Sequence, residues 1–132
     1  MKKLLLVLIS TVFLFGCSSS DGDSGSNTSF NPPSWIQGRW LVESGGFGYR
    51  FTNNDVMSVI LTTEFSFGEQ IKSVNNVGAN TSINEEIKTS TEYKFSYTLQ
   101  SATQYYHFIK VSNTKFKDVL NDPNGYNLYT KQ

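Results

Sequence analysis

The sequence predicts a mainly β protein: an antiparallel meander of about eight strands closing into a barrel, with one short helix between strands three and four. Three observations lead there. From Trp35 onward, apolar and polar residues alternate with a period of two over short runs. Clusters of Gly, Asn, Asp and Ser separate most of the runs and are too short to hold a crossover helix, so neighbouring strands are antiparallel. One segment alone breaks the alternation with helical spacing.

The first strand is expected from Gln37 to Glu43 and the second from Phe47 to Thr52, joined by the turn Ser44-Gly45-Gly46. Asn53-Asn54-Asp55 leads into the third, Val56 to Thr62. Then comes the break. Ser66-Phe67-Gly68-Glu69 has capping-box spacing, and Phe67, Ile71 and Val74 fall on one helical face that ends in Asn75-Asn76. The spacing predicts a helix from Phe67 to Val74; the alternative is that strand three continues through Phe65 and Phe67. Five further strands are expected at Asn80 to Lys88, Tyr93 to Gln100, Gln104 to Val111, Thr114 to Val119 and Tyr126 to Lys131. The second of these alternates most cleanly, with Tyr93, Phe95, Tyr97 and Leu99 on one face and Lys94, Ser96, Thr98 and Gln100 on the other. The strand after it has bulky residues on both faces and is expected to be buried more completely. A sheet so rich in aromatics, with one short helix to cover it, must curl, which also removes exposed edges. Eight strands enclose a lumen that side chains can just fill or that holds one small ligand.

Residues 1–16 are of another kind. Met1-Lys2-Lys3 and the apolar run Leu4 to Phe15 have the basic and hydrophobic regions of a secretory signal, and the run is too short for a bilayer, which takes about 20 residues. The one cysteine, Cys17, stands directly behind it. Leu14-Phe15-Gly16-Cys17 resembles the lipobox of bacterial lipoproteins. The resemblance implies that Cys17 takes a diacylglyceryl group on sulfur, that the signal is cut before it and that the new amino terminus is acylated. The membrane is then a partner through lipid on Cys17, and no thiol remains for a disulfide or a metal. Residues 17–34 form a tether whose single large apolar side chain is Phe30, too little for a core. Asp21 and Asp23 resemble the acidic patch that sends lipoproteins of Bacteroidota to the cell surface; a plain solvated linker is the alternative. The implied location is the outer membrane, lipid-anchored on its periplasmic face or at the cell surface.

The folded domain is expected over 35–132. Its opening, Trp35-Ile36-Gln37-Gly38-Arg39-Trp40, carries the Gly-x-Trp pattern of the first lipocalin strand. Tyr49-Arg50-Phe51-Thr52, Ser66-Phe67-Gly68-Glu69-Gln70-Ile71-Lys72, Tyr106-His107-Phe108-Ile109-Lys110 and Leu128-Tyr129-Thr130-Lys131 follow in order, and the series resembles small lipocalin-like lipoproteins of Bacteroidota. The resemblance implies a lipocalin-like barrel. Lipocalins often place an arginine of the last strand over that tryptophan, and the nearest cation here is Lys131.

Charge is balanced, with 11 basic and 11 acidic residues, and loss of Lys2 and Lys3 with the signal leaves the mature chain slightly acidic. Nothing resembles the concentrated basic face of a nucleic-acid binder. His107 is the one histidine, unaccompanied by a Gly-x-Ser-x-Gly elbow, and no constellation supplies both nucleophile and base, so no enzyme is expected. Neither a metal nor a cofactor is expected. Glu85 and Glu86 are adjacent and point to opposite faces of a strand. Glu85 shares the register of Ile83 and Ile87, which makes it a pocket carboxylate if that face is inner and a solvated edge charge if it is not. Gly45-Gly46-Phe47-Gly48 lacks the spacing of a phosphate loop, and Asn121-Asp122-Pro123-Asn124-Gly125 lacks a complete calcium series.

The aromatics carry the most information: ten Phe, seven Tyr and two Trp, with every tyrosine on an expected strand. Tyrosine joins an apolar ring to a polar tip, which suits a small-molecule pocket or an interface. Alternate positions on neighbouring strands select Trp40, Tyr49, Phe51, Tyr93, Phe95, Tyr97, Tyr105 and His107 as candidate ligand-binding residues of a shared lumen. Two functions stay open: binding of a small, partly apolar ligand, or a filled barrel that binds another envelope protein or a glycan.

Overall fold

The computed structural model describes residues 29–122 and 128–132. The signal 1–16, Cys17, the tether through residue 28, and residues 123–127 with the expected strand start at Tyr126 lie outside the described residues.

Nine strands and a helix follow in the order β1 (Gly38–Val42), β2 (Phe47–Phe51), β3 (Val56–Ile60), β4 (Thr63–Ser66), α1 (Phe67–Asn76), β5 (Thr81–Lys88), β6 (Glu92–Leu99), β7 (Ala102–Lys110), β8 (Lys115–Asp118) and β9 (Leu128–Lys131). All lie in one antiparallel sheet, ordered β4-β3-β2-β1-β9-β8-β7-β6-β5. In outline it is the lipocalin-like barrel expected, mainly β with one short helix. Its free edges are β4 and β5, and α1 lies at that gap, packed on β3, β5 and β6.

Nine strands replace the expected eight because strand three does not run on. Leu61, at φ +56°, turns the chain, and β4 returns along β3 with Thr63 opposite Ile60 and Ser66 opposite Met57. The expected helix is found, opening at Phe67 and running past Val74 to Asn76, whereas strand three does not continue: Phe65 lies on the separate returning strand β4. The Ser66 hydroxyl oxygen accepts the Glu69 N–H at 2.9 Å, and Asp55 accepts the Ser66 hydroxyl and the Gly68 N–H. The helix buries Phe67 and Ile71.

Two glycines explain how β1 sits. Gly38 has φ +124°, and a Cβ there would lie 2.9 Å from Lys131 Cε. The lysine stem passes over this position, and its ammonium reaches 5.2 Å from the Trp40 ring centroid, a cation–π distance. At Gly48 a Cβ would lie 1.9 Å from the Trp40 carbonyl oxygen, so β1 and β2 approach this closely only across glycine.

The packed unit starts at Phe30 rather than at residue 35. Phe30 is fully buried, edge-on to Phe95 at 5.1 Å and to Tyr97 at 6.2 Å. A single aromatic cannot make a core within its own segment, but it can enter one that the sheet has already built. Three hydrogen bonds hold the segment across one end of the barrel: Ser29 Oγ to the Asn54 carbonyl at 3.2 Å, the Asn31 N–H to Glu85 Oε1 at 2.9 Å, and Trp35 Nε1 to the Thr89 carbonyl at 2.9 Å. This end is closed.

Candidate functional site

Six of the eight residues assigned to a lumen point inward and are buried: Trp40, Tyr49, Phe51, Tyr93, Phe95 and Tyr97. They pack on one another and on inward rings from β7 and β8. Ring centroids are 5.1 Å apart for Tyr93 and Phe95, 5.3 Å for Phe51 and Phe108, and 4.9 Å for Trp40 and Phe116. The concave face is thus filled by its own aromatics.

Tyr105 and His107 are corrections, and so is the fuller burial expected of their strand, on which Phe108 alone is buried because the outer face meets solvent. Both residues lie on the outer face of β7, where Tyr105 is 56% exposed and His107 Nε2 is 2.6 Å from Glu92 Oε1. The inner positions belong to Tyr106, opposite Phe95, and Phe108, opposite Tyr93. With bulky residues on both faces, the strand's own pattern does not choose between them; pairing with the apolar face of β6 does.

At the closed end, the Tyr93 hydroxyl donates to Glu85 Oε1 at 2.7 Å. Glu85 also accepts the Asn31 N–H and pairs with Lys88 at 3.2 Å. Of its two alternatives, the inner carboxylate is the one found, where the register between β5 and β6 shifts at Glu85 and Ile87. Burial, and then this hydrogen bond, push the Tyr93 hydroxyl well above its ordinary pKa.

At the opposite end the described residues leave a depression lined by tyrosines. Tyr49, Tyr106, Tyr129 and Phe47 border this volume of about 430 Å³, to which Asn121 and Asp122 add polar groups. Behind it lies Asp118, a wholly buried carboxylate on β8. It accepts the Tyr49 hydroxyl at 3.2 Å, Asn121 Nδ2 at 2.7 Å, and the backbone N–H groups of Leu120 at 3.2 Å and Asn121 at 3.1 Å. Burial, followed by the Asp118 charge, raises the Tyr129 hydroxyl to about 12. Tyr49 and Tyr106 rise further, burial again leading; Asp118 comes next for Tyr49, and Tyr97 stands ahead of Asp118 for Tyr106. These hydroxyls therefore stay protonated at neutral pH, as neutral donors around a carboxylate.

No protein-family model matches the chain, and no curated protein or solved structure matches it. The site has to be read from its own chemistry. Among the described residues, no group of three or more His, Cys, Asp or Glu side chains is placed to hold a metal, and no helix is long and apolar enough to cross a membrane.

Of the residues at the mouth, the sequence reading selected Tyr49 and missed Tyr106, Asp118, Asn121 and Tyr129. For Asp118 a signal was present: Phe116 and Asp118 alternate with Lys115 and Lys117, which sets the carboxylate on the buried face.

Proposed function

We propose that this protein is a lipoprotein, anchored in the outer membrane through lipid on Cys17, whose barrel mouth binds a small, partly apolar ligand at the periplasmic face or the cell surface. The observation that carries the ligand reading is the depression bordered by Tyr49, Tyr106 and Tyr129, in which ring surface and convergent polar groups meet. The candidate site accordingly moves from the lumen, filled by Phe95, Phe108 and their neighbours, to the rim. The N-terminal segment crosses the closed end through Phe30 and Asn31, so the tether joins the domain at the end away from the mouth. A second reading rests on the filled interior itself: a barrel whose rings pack at about 5 Å suits an interaction module for an envelope protein or glycan.

The test is native mass spectrometry of the full-length protein released gently from membranes, beside Cys17→Ser and Tyr106→Leu. The wild type is expected to carry the mass of its acyl groups and a non-covalent adduct lost on denaturation. Cys17→Ser loses the acyl mass and leaves the membrane fraction, and Tyr106→Leu loses only the adduct. An unchanged mass and membrane fraction in Cys17→Ser would end the anchor proposal. A clean apo mass that persists after incubation with envelope extract would favour the interaction module.

A further inference from the structure

The Asp118 environment is unusual in what it contains and in what it leaves out. A buried carboxylate is costly unless its charge is met. Four hydrogen bonds meet the lone pairs of Asp118, but they come from a phenol, an amide side chain and two backbone N–H groups, all neutral. Among the described residues, no Lys, Arg or His forms an ion pair with it, although seven such pairs exist elsewhere on the domain. The negative charge is solvated and not neutralised.

That charge sits behind aromatic rings at the mouth. The Tyr49 hydroxyl links the carboxylate to the ring set of Tyr49, Tyr129 and Phe47, whose centroids are 5.4 to 6.4 Å apart. Ring faces carry the negative side of the aromatic quadrupole and attract cations, most strongly where water is scarce. A volume of about 430 Å³ falls in the range that takes a small organic molecule. Carboxylate and ring faces thus favour one charge type.

We infer that the mouth binds an organic ammonium: a protonated or quaternary amine on a small apolar body, with its nitrogen against the tyrosine rings and its charge met by Asp118. The inference rests on the proposal that the mouth is the ligand site, and names the chemistry of what enters it. Carboxylates and phosphates are excluded by the same field.

Three probes that share a phenethyl body test it: phenethylammonium, neutral 2-phenylethanol and anionic 3-phenylpropanoate, titrated calorimetrically into the full-length protein in a non-ionic detergent. The ammonium is expected to bind about tenfold or more tightly than the alcohol, and the propanoate not to saturate. In Asp118→Asn the preference for ammonium over alcohol should collapse while alcohol binding remains. If that variant does not fold, the wild-type series still decides. Equal affinity for ammonium and alcohol overturns the charge assignment and leaves the mouth as a ligand site. A preference that survives Asp118→Asn overturns the role of Asp118. If none of the three saturates, the ammonium inference and the mouth reading fall together.

Discussion

Each end of the barrel sets a buried tyrosine against a carboxylate, and the two pairs are completed differently. At the closed end Tyr93 donates to Glu85, whose other partners are the Lys88 ammonium and the Asn31 backbone N–H. At the mouth Tyr49 donates to Asp118, whose other partners are neutral. The first carboxylate clasps the N-terminal segment to the sheet, and its charge has a partner in the same chain. The second organises a turn and keeps its charge unpaired beside a depression. The contrast teaches that a buried hydrogen-bonded carboxylate is not enough to mark a site. What sets the mouth apart is that no described Lys, Arg or His pairs with its carboxylate, which lies beside a depression of about 430 Å³.

The difference is open to attack, starting where the effect is largest. If the closed end is structural, Phe30→Ala should cost about 3 to 5 kcal/mol in urea denaturation, the ordinary range for removing a buried phenylalanine. A loss below about 1 kcal/mol would mean that the N-terminal segment rests on the barrel without closing it. Glu85→Gln should follow at about 1 to 3 kcal/mol, with faster hydrogen exchange at the Asn31 amide, because it removes a charged acceptor shared by Tyr93, Asn31 and Lys88. Unchanged exchange there would remove the clasp from the account.

The smallest effect appears as a displaced titration. Tyrosines with raised folded pKa values favour the neutral phenol in the folded state, so their contribution is complete below pH 10 and falls as pH rises through about 12 for Tyr129. Phenolate absorbance from the buried tyrosines should therefore grow together with loss of the fold. Asp118→Asn should lower the Tyr129 pKa. Buried tyrosines that titrate near pH 10 with the fold intact would show that the mouth is wetter than its geometry implies.

Much of the fold was legible because alternation survives wherever one face is buried. β6 is the clear case, with Tyr93, Phe95 and Tyr97 buried as their spacing requires. The capping serine of α1 was legible too, since Ser66 and the Phe67 and Ile71 face obey local rules. Illegible features were those decided at a distance. β4 is short and only partly covered, so Thr63-Glu64-Phe65-Ser66 carries little signal of its own. The facing of β7 depended on β6, and Phe30 depended on an opening that its own segment does not form. The mouth was half legible: tyrosines as a class pointed toward a pocket or an interface. The rest of the rim was harder: β8 alternates, but over four residues only, and the four-residue β9 gains its place from its neighbours.

Because Trp40 pairs with Lys131, the sheet joins strands from opposite ends of the domain. β1 to β4 and β5 to β8 are successions of neighbouring hairpins that form from local contacts, whereas the seam between β1 and β9 waits for a loop closure spanning the domain. Without β9 the strand order falls into two halves, β1 to β4 and β5 to β8, with no hydrogen-bonded seam between them. The last strand is the keystone of the barrel, since β9 alone hydrogen-bonds to both halves.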